Sequence, residues 1–371
     1  MKSPAVVTLT LSALLASPAY SACEDAPGPG VDWFECDLRQ KDLEGADLSG
    51  ANLAMSNLNG ANLEGADLSG SNLTGAKLVE TKLNRARLTD ADMRWSDLTG
   101  ASVRNSNLSR ANMANARLGR SSFANSNLQS ANLSDAEFTY ARLNEANLKA
   151  VNLQRATLGD ANLSGAQLDS SNLKGANLRG ANLFKATLTE ANLSGADLSW
   201  SNLSSVDLRR ADLRGAQLQR TQVKWANLSQ ANLSGANLSQ SVFTATNLSL
   251  SSLTGSDLRE TVLRWVDLRK SNLSGANLSG ADLAANHVVK STLLKGAVLI
   301  DADLSAADLT GVDLREAQLS NAKMKGTALG DAQLEGAVWI DGTSCQSPSL
   351  GRCSANAPPG DKPLALGHND A

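Results

Sequence analysis

The chain has 371 residues, a formal charge of −3 and only 4% aromatic residues, although 42% of its residues are hydrophobic. Its apolar mass is therefore leucine and alanine, without the bulky aromatic anchors of an ordinary two-domain enzyme core. The near-neutral balance gives no basic footprint for nucleic acid, and two histidines, His287 and His368, leave little for histidine-based catalysis or a multi-histidine metal site.

Residues 1–22 read as a secretory signal: Met1-Lys2, an apolar run over residues 5–16, then small residues around Ser21-Ala22. The run is too short to span a bilayer as a helix, and no later segment is apolar enough to do so. This predicts a periplasmic or secreted protein. Cys23 and Cys36 follow the signal, and Cys345 and Cys353 follow the regular region. An even count in an exported chain suggests two bridges, and local pairing, Cys23 with Cys36 and Cys345 with Cys353, is the shortest of three connectivities. A rival reading makes Cys23 the lipidated residue of a lipoprotein. Tyr20 stands where that motif wants leucine, and lipidation would strand Cys36.

After a cap segment at 23–30, residues 31–341 form a repeat of five residues, as in Ala46-Asp47-Leu48-Ser49-Gly50. Centres recur every fifth residue from Trp33 through Leu48 to Leu293, passing through Val288, then after one extra residue from Leu299 to Trp339: 62 pentapeptides in all. The residue two before each centre is small. No proline interrupts residues 30–347, as a continuous hydrogen-bonded structure requires. A helix would smear the leucines around its surface, and a strand's period of two is broken by an odd spacing. The pattern works if the chain turns a corner at each unit, with the centre and the small residue inward and one residue between them outward.

The repeated Ala-(Asp/Asn)-Leu-x-x resembles the pentapeptide-repeat proteins over about 311 of the 371 residues. That resemblance implies an all-β fold, a right-handed quadrilateral parallel β-helix of about 15 coils, with strands stacked ~4.8 Å apart. Trp33 and Trp339 are then the end caps, residues 342–353 a disulfide-closed C-terminal cap, and 354–371 a disordered tail. The one-residue slip near 286–294, with His287 inside it, reads as a bulge.

Residues 20 apart should stack on one face. One face then carries Lys224, Trp225, Val242, Val262, Arg264 and Trp265: outward valines where the repeat has Asn or Asp, corner tryptophans, and a basic rim. That composition fits a docking surface; the bland alternative is a pair of tryptophans lying along the rod. Trp95 and Trp200 look isolated. Residues 77–120 hold nine basic side chains against four acidic ones, a second candidate for an anionic surface.

No phosphate loop, activated nucleophile, paired-carboxylate setting or metal-ligand spacing is found, and the many Asn-Leu-Ser triplets are generated by the repeat. The sequence thus implies no cofactor, no metal, no catalysis and no small-molecule substrate. The expected function is a rigid exported scaffold or rod that binds a macromolecule. Alternatives are a purely structural spacer, an enzyme on polysaccharide as in some larger β-helices, and the topoisomerase inhibition by duplex mimicry implied by the family resemblance. The mild charge and the export signal oppose the last, making a nucleic-acid partner unlikely.

Overall fold

The computed structural model describes residues 23–284 and 292–354. The signal at 1–22, His287 and residues 355–371 lie outside the described residues, so those expectations are not addressed by it.

Each pentapeptide contributes one backbone bridge and one corner. The outward residue of each unit pairs in parallel with the residue 20 positions on, as in Asp32↔Asn52 and Asn52↔Asn72. Around each bridge the Trp33 amide donates to the Asn52 carbonyl at 2.8 Å, and the Asn52 amide to the Val31 carbonyl at 2.9 Å. At the corner, the centre's carbonyl accepts from the amide three residues on, as from Ala51 to Leu48 at 3.1 Å. The second corner residue takes a positive φ, +65° at Gly50. Glycine adopts that conformation without steric cost, which accounts for its recurrence there. The same conformation is held by Trp225 at +54°, where coil stacking imposes it on a residue with a Cβ.

The core is a continuous column. Leu48, Leu53, Leu58 and their successors are fully buried, together with the small residues two before them. Burying a leucine contributes roughly 1.5–3 kcal/mol relative to exposure. Small residues are required where the walls converge, and where serine is used its hydroxyl can be satisfied within the corner, as where Ser56 Oγ donates to the Leu53 carbonyl at 2.6 Å; Ser171 Oγ and Ser201 Oγ are buried without a partner. Two phenylalanines, Phe123 and Phe138, fit at centres by meeting edge to face, with centroids 5.9 Å apart. The outward Asn or Asp accepts from the amide two residues on, as from Ser199 to Asp197 at 2.9 Å, fixing the turn entry. Asparagines also ladder between coils, Asn147 Nδ2 to Asn127 Oδ1 at 3.0 Å.

The slip falls earlier than the repeat suggested. Leu294 is fully buried while Leu293 is half-buried and occupies the outward bridging position, paired with Asp267. Leu293 is therefore not a centre, and the irregularity is larger than the one-residue bulge expected: with pairing offset by 26 instead of 20, six residues are added to this coil ahead of Thr292. Two adjacent leucines made either register readable; Thr292 resolves it by sitting at the inward small position, its Oγ1 donating to the Leu263 carbonyl at 2.6 Å. Pairing spans 26 residues across this coil, up to Asp282↔Asp308, and returns to 20 at Leu293↔Asp313. Val288 lies outside the described residues.

Both ends are stapled. Cys23 is bonded to Cys36, and Cys345 to Cys353. Trp33 is fully buried, with the Lys41 ammonium 4.8 Å from its ring centroid. Trp339 is only partly buried. The closure at that end is made instead by backbone: residues 343–351 fold back antiparallel along the last coil, through Gln333↔Leu350 and Val338↔Ser344. The Gly336 amide donates to the Cys345 carbonyl at 2.9 Å and the Cys345 amide to the Ala337 carbonyl at 2.8 Å. A returning segment of this kind covers backbone groups that would otherwise template further pairing.

Candidate functional site

The candidate face differs from the rest of the rod in its backbone. Over the described residues, ladders longer than a single bridge occur only here: β1 (Gln222–Lys224), β2 (Val242–Thr244) and β3 (Val262–Arg264) form a three-stranded parallel sheet. The registers are Gln222↔Val242↔Val262 and Lys224↔Thr244↔Arg264, so the predicted residues do stack on one side. The outward valines of β2 and β3 suit a pleated, half-buried surface better than Asn or Asp, the commonest outward residues of the rod, although Val298 and Val338 occupy the same position with single bridges only. Val242 and Val262 are half-buried.

At the corner that follows, Trp225, Ala245 and Trp265 form one column, tied by the bond from the Trp225 amide to the Thr244 carbonyl at 2.9 Å and from the Ala245 amide to the Arg264 carbonyl at 3.0 Å. Trp225 is 66% exposed and Trp265 37%. Large exposed indoles on a rod whose other leucines and phenylalanines are mostly inward are the main apolar feature of the surface. Arg264 is committed in part: its Nη2 lies 2.6 Å and its Nε 3.1 Å from Asp282 Oδ2. Among the described residues Lys224 makes no ion pair.

Two residues passed over in the sequence belong here. Trp200 sits at the corner preceding the same side, one coil before Trp225, with the Arg220 guanidinium 4.7 Å from its ring centroid. From Arg220 a ladder continues up that corner to Gln240 and Glu260, each contact 2.8 Å. Phe184 shares the column of Lys224 and Arg264, two coils earlier, and the Lys185 ammonium lies 5.2 Å from its ring. The signal was present: 40-residue bookkeeping joins Phe184 to Lys224 and Lys224 to Arg264. Leu250 is 55% exposed on the next corner.

The basic segment is less free than its composition suggested. Arg85, Arg87, Arg94 and Arg110 pair with Glu64, Asp67, Asp92 and Asp90. The rest is distributed among columns that alternate in sign, such as Asp37, Asn57, Lys77, Asp97, Arg117 and Glu137. Such mixing also breaks any continuous acidic stripe of the kind duplex mimicry would use. Among the described residues no group of His, Cys, Asp or Glu is placed to hold a metal ion, and no helix is long and apolar enough to cross a membrane.

The family described as pentapeptide repeats matches residues 34–284 and 297–336. The chain belongs to the pentapeptide-repeat family. No curated protein matches this pentapeptide-repeat chain. Among solved structures it is similar to HetL, a pentapeptide repeat protein involved in heterocyst differentiation regulation from the cyanobacterium Nostoc sp. strain PCC 7120, at 34% identity over 71% of this chain and 94% of that one, TM-score 0.25. It is also similar to the pentapeptide repeat protein Rfr23 from the cyanobacterium Cyanothece 51142, at 26% identity over 37% and 87%, TM-score 0.24. A third is QnrB1, a plasmid-mediated fluoroquinolone resistance protein, at 19% identity over 49% and 90%, TM-score 0.35.

Proposed function

We propose that this pentapeptide-repeat protein is an exported, non-enzymatic rod, a right-handed four-sided β-helix of about 15 coils, that docks a macromolecule on the side carrying β1 to β3. Pairing between residues 20 apart supports four five-residue sides per coil. The two disulfides support an oxidising compartment, because such bonds persist outside the reducing cytosol, and the signal-like residues 1–22 agree.

The observation that carries the docking role is the break in the repeat's own rule. Asn or Asp at the outward position costs nothing in water and serves the turn; Val242 and Val262 give up that bond and expose carbon instead. They do so beside Lys224, Arg264 and the exposed Trp225 and Trp265, the residue types that anchor interfaces.

The test is retention of cell-envelope material on immobilised protein, with the double variant Trp225→Ala, Trp265→Ala as the comparison and circular dichroism as the control for folding. Retention by the native chain and not by the variant is the expected result. Equal retention, with unchanged dichroism, would sink the docking role and leave a spacer.

A further inference from the structure

The same side carries a period that the repeat does not require. Phe184-Lys185, Lys224-Trp225 and Arg264-Trp265 each place an aromatic ring beside a cation at one corner, and successive pairs are 40 residues apart. Between them, at the same corner, stand Ser204-Ser205 and Thr244-Ala245, which are small. One ring and one cation thus recur every second coil, about 9.6 Å along the rod at ~4.8 Å per stacked strand. All three rings are exposed by more than a third.

We propose that this corner and its sheet hold an extended acidic polysaccharide of alternating disaccharide repeat, with one anionic sugar per repeat, laid along the rod axis; the inference rests on the docking reading above. A ligand that uses all three pairs must present an apolar plate and a negative charge at the same two-coil spacing. The C–H face of a pyranose supplies the plate for an indole, a uronate supplies the charge for the neighbouring cation, and an extended disaccharide advances by close to two coils. The strip is otherwise narrow: three-residue strands give a band rather than the ~800 Å² per partner of a standard protein interface. A linear polymer gains one stacking contact and one ion pair per repeat on such a band, without needing width. Trp200 lies at a different corner and is outside the period.

The cations are available. Lys224 has no ion-pair partner among the described residues, and Arg264, although bonded to Asp282 through Nε and Nη2, keeps 56% of its side chain exposed. Lys185 lies against Phe184 and can serve both ring and sugar.

The experiment is calorimetric titration of the full chain with hyaluronan oligosaccharides of one to five disaccharides, against a neutral glucan of equal length. Affinity should rise up to about three repeats and then level off, weaken with salt, and be absent for the glucan. Trp225→Ala should weaken it about tenfold or more; Ala245 holds the equivalent corner at φ +52°, so alanine fits the backbone there. Lys224→Gln should remove part of the salt dependence with the indole intact. No hyaluronan binding, equal binding of the glucan, or no effect of Trp225→Ala would each overturn the proposal. Tryptophan-dependent capture of an envelope protein, with hyaluronan unbound, would overturn this inference alone; loss of tryptophan-dependent capture altogether would take the docking reading with it.

Discussion

Thr246 Oγ1 donates to the carbonyl of Val223, one coil earlier, at 2.7 Å. At an ordinary corner that carbonyl accepts from the amide three residues on; at the Val223 and Leu263 corners the hydroxyls of Thr246 and Thr292 take it instead. The turn bond is also missing at Phe243, where no hydroxyl replaces it, and Ser126 Oγ takes the Val103 carbonyl without a strand forming there, so at Val223 the hydroxyl satisfies a carbonyl that the strand leaves without its turn bond. The three-stranded face and the core meet at this point.

Thr246→Val keeps the shape and removes the donor. Thr246 is 1% exposed, so the Val223 carbonyl would be left buried without that partner, at a cost of about 1–3 kcal/mol. Because coils interact mainly with neighbours, the loss should be local. Hydrogen exchange should accelerate at the Trp225 and Ala245 amides and stay unchanged near Leu153, and Thr246→Ser should restore protection. Uniform acceleration along the rod would contradict a local role.

Leu153 is fully buried in the middle of the solenoid. Leu153→Ala should cost about 2–5 kcal/mol, a transfer loss plus a cavity that stacked coils cannot close by shifting. Leu153→Asp should be worse, burying a carboxylate among leucines. Urea unfolding would then separate into two transitions, one for each half of the rod, if the coil interfaces carry the cooperativity. A single, barely shifted transition would mean that the centre column is not the main source of stability.

Much of this was legible in the residues because the repeat is strict. A period of five with a small residue two before each leucine leaves one inward pattern, and the cysteines flank it in pairs that the structure joins. Legibility failed where two choices were equivalent locally. Leu293 and Leu294 both satisfy the hydrophobic rule, and only the Thr292 hydroxyl and the pairing with Asp267 distinguish them. Trp339 looked like a lid because tryptophan at a centre is bulky, but the end is closed by backbone pairing of 343–351; Cys345 and Cys353 marked that segment as a cap, and only its antiparallel return along the last coil had no side-chain signature. Trp200 and Phe184 were missed for a different reason: each is ordinary within its own pentapeptide and acquires neighbours only when coils are stacked.

Several outward aspartates hold bonds to an arginine two residues ahead. The Arg214 guanidinium, 2.6 Å from Asp212, keeps that carboxyl below its ordinary value, and Arg259 does the same for Asp257; burial opposes both. A carboxyl whose folded pKa lies below its unfolded one contributes stability that is complete above the unfolded value, about 3.9, and is lost as pH falls through the folded value. Thermal stability should therefore be level above about pH 5 and decline below about pH 4, with Asp212→Asn and Asp257→Asn together making the decline shallower. A decline of unchanged steepness in the double variant would assign acid sensitivity elsewhere.

The two ends of the rod protect themselves by different means. At the first coil the outward positions are Asp32, Asp37, Asp42 and Asp47, a ring of four carboxylates that repels a second copy. At the last coil the outward positions include Gln333 and Val338, which carry no charge, and protection falls to the antiparallel cap. The cap is short, and its two bridges are held by the Cys345–Cys353 bond, worth about 2–4 kcal/mol. Cys345→Ser with Cys353→Ser should loosen residues 343–351, uncover the last coil, and convert monomers into end-to-end pairs measurable by light scattering. The Cys23→Ser, Cys36→Ser variant should stay monomeric because its aspartate ring remains. If the C-terminal variant also stays monomeric while its Gly336 and Cys345 amides exchange freely, an uncovered edge is not enough to drive association here.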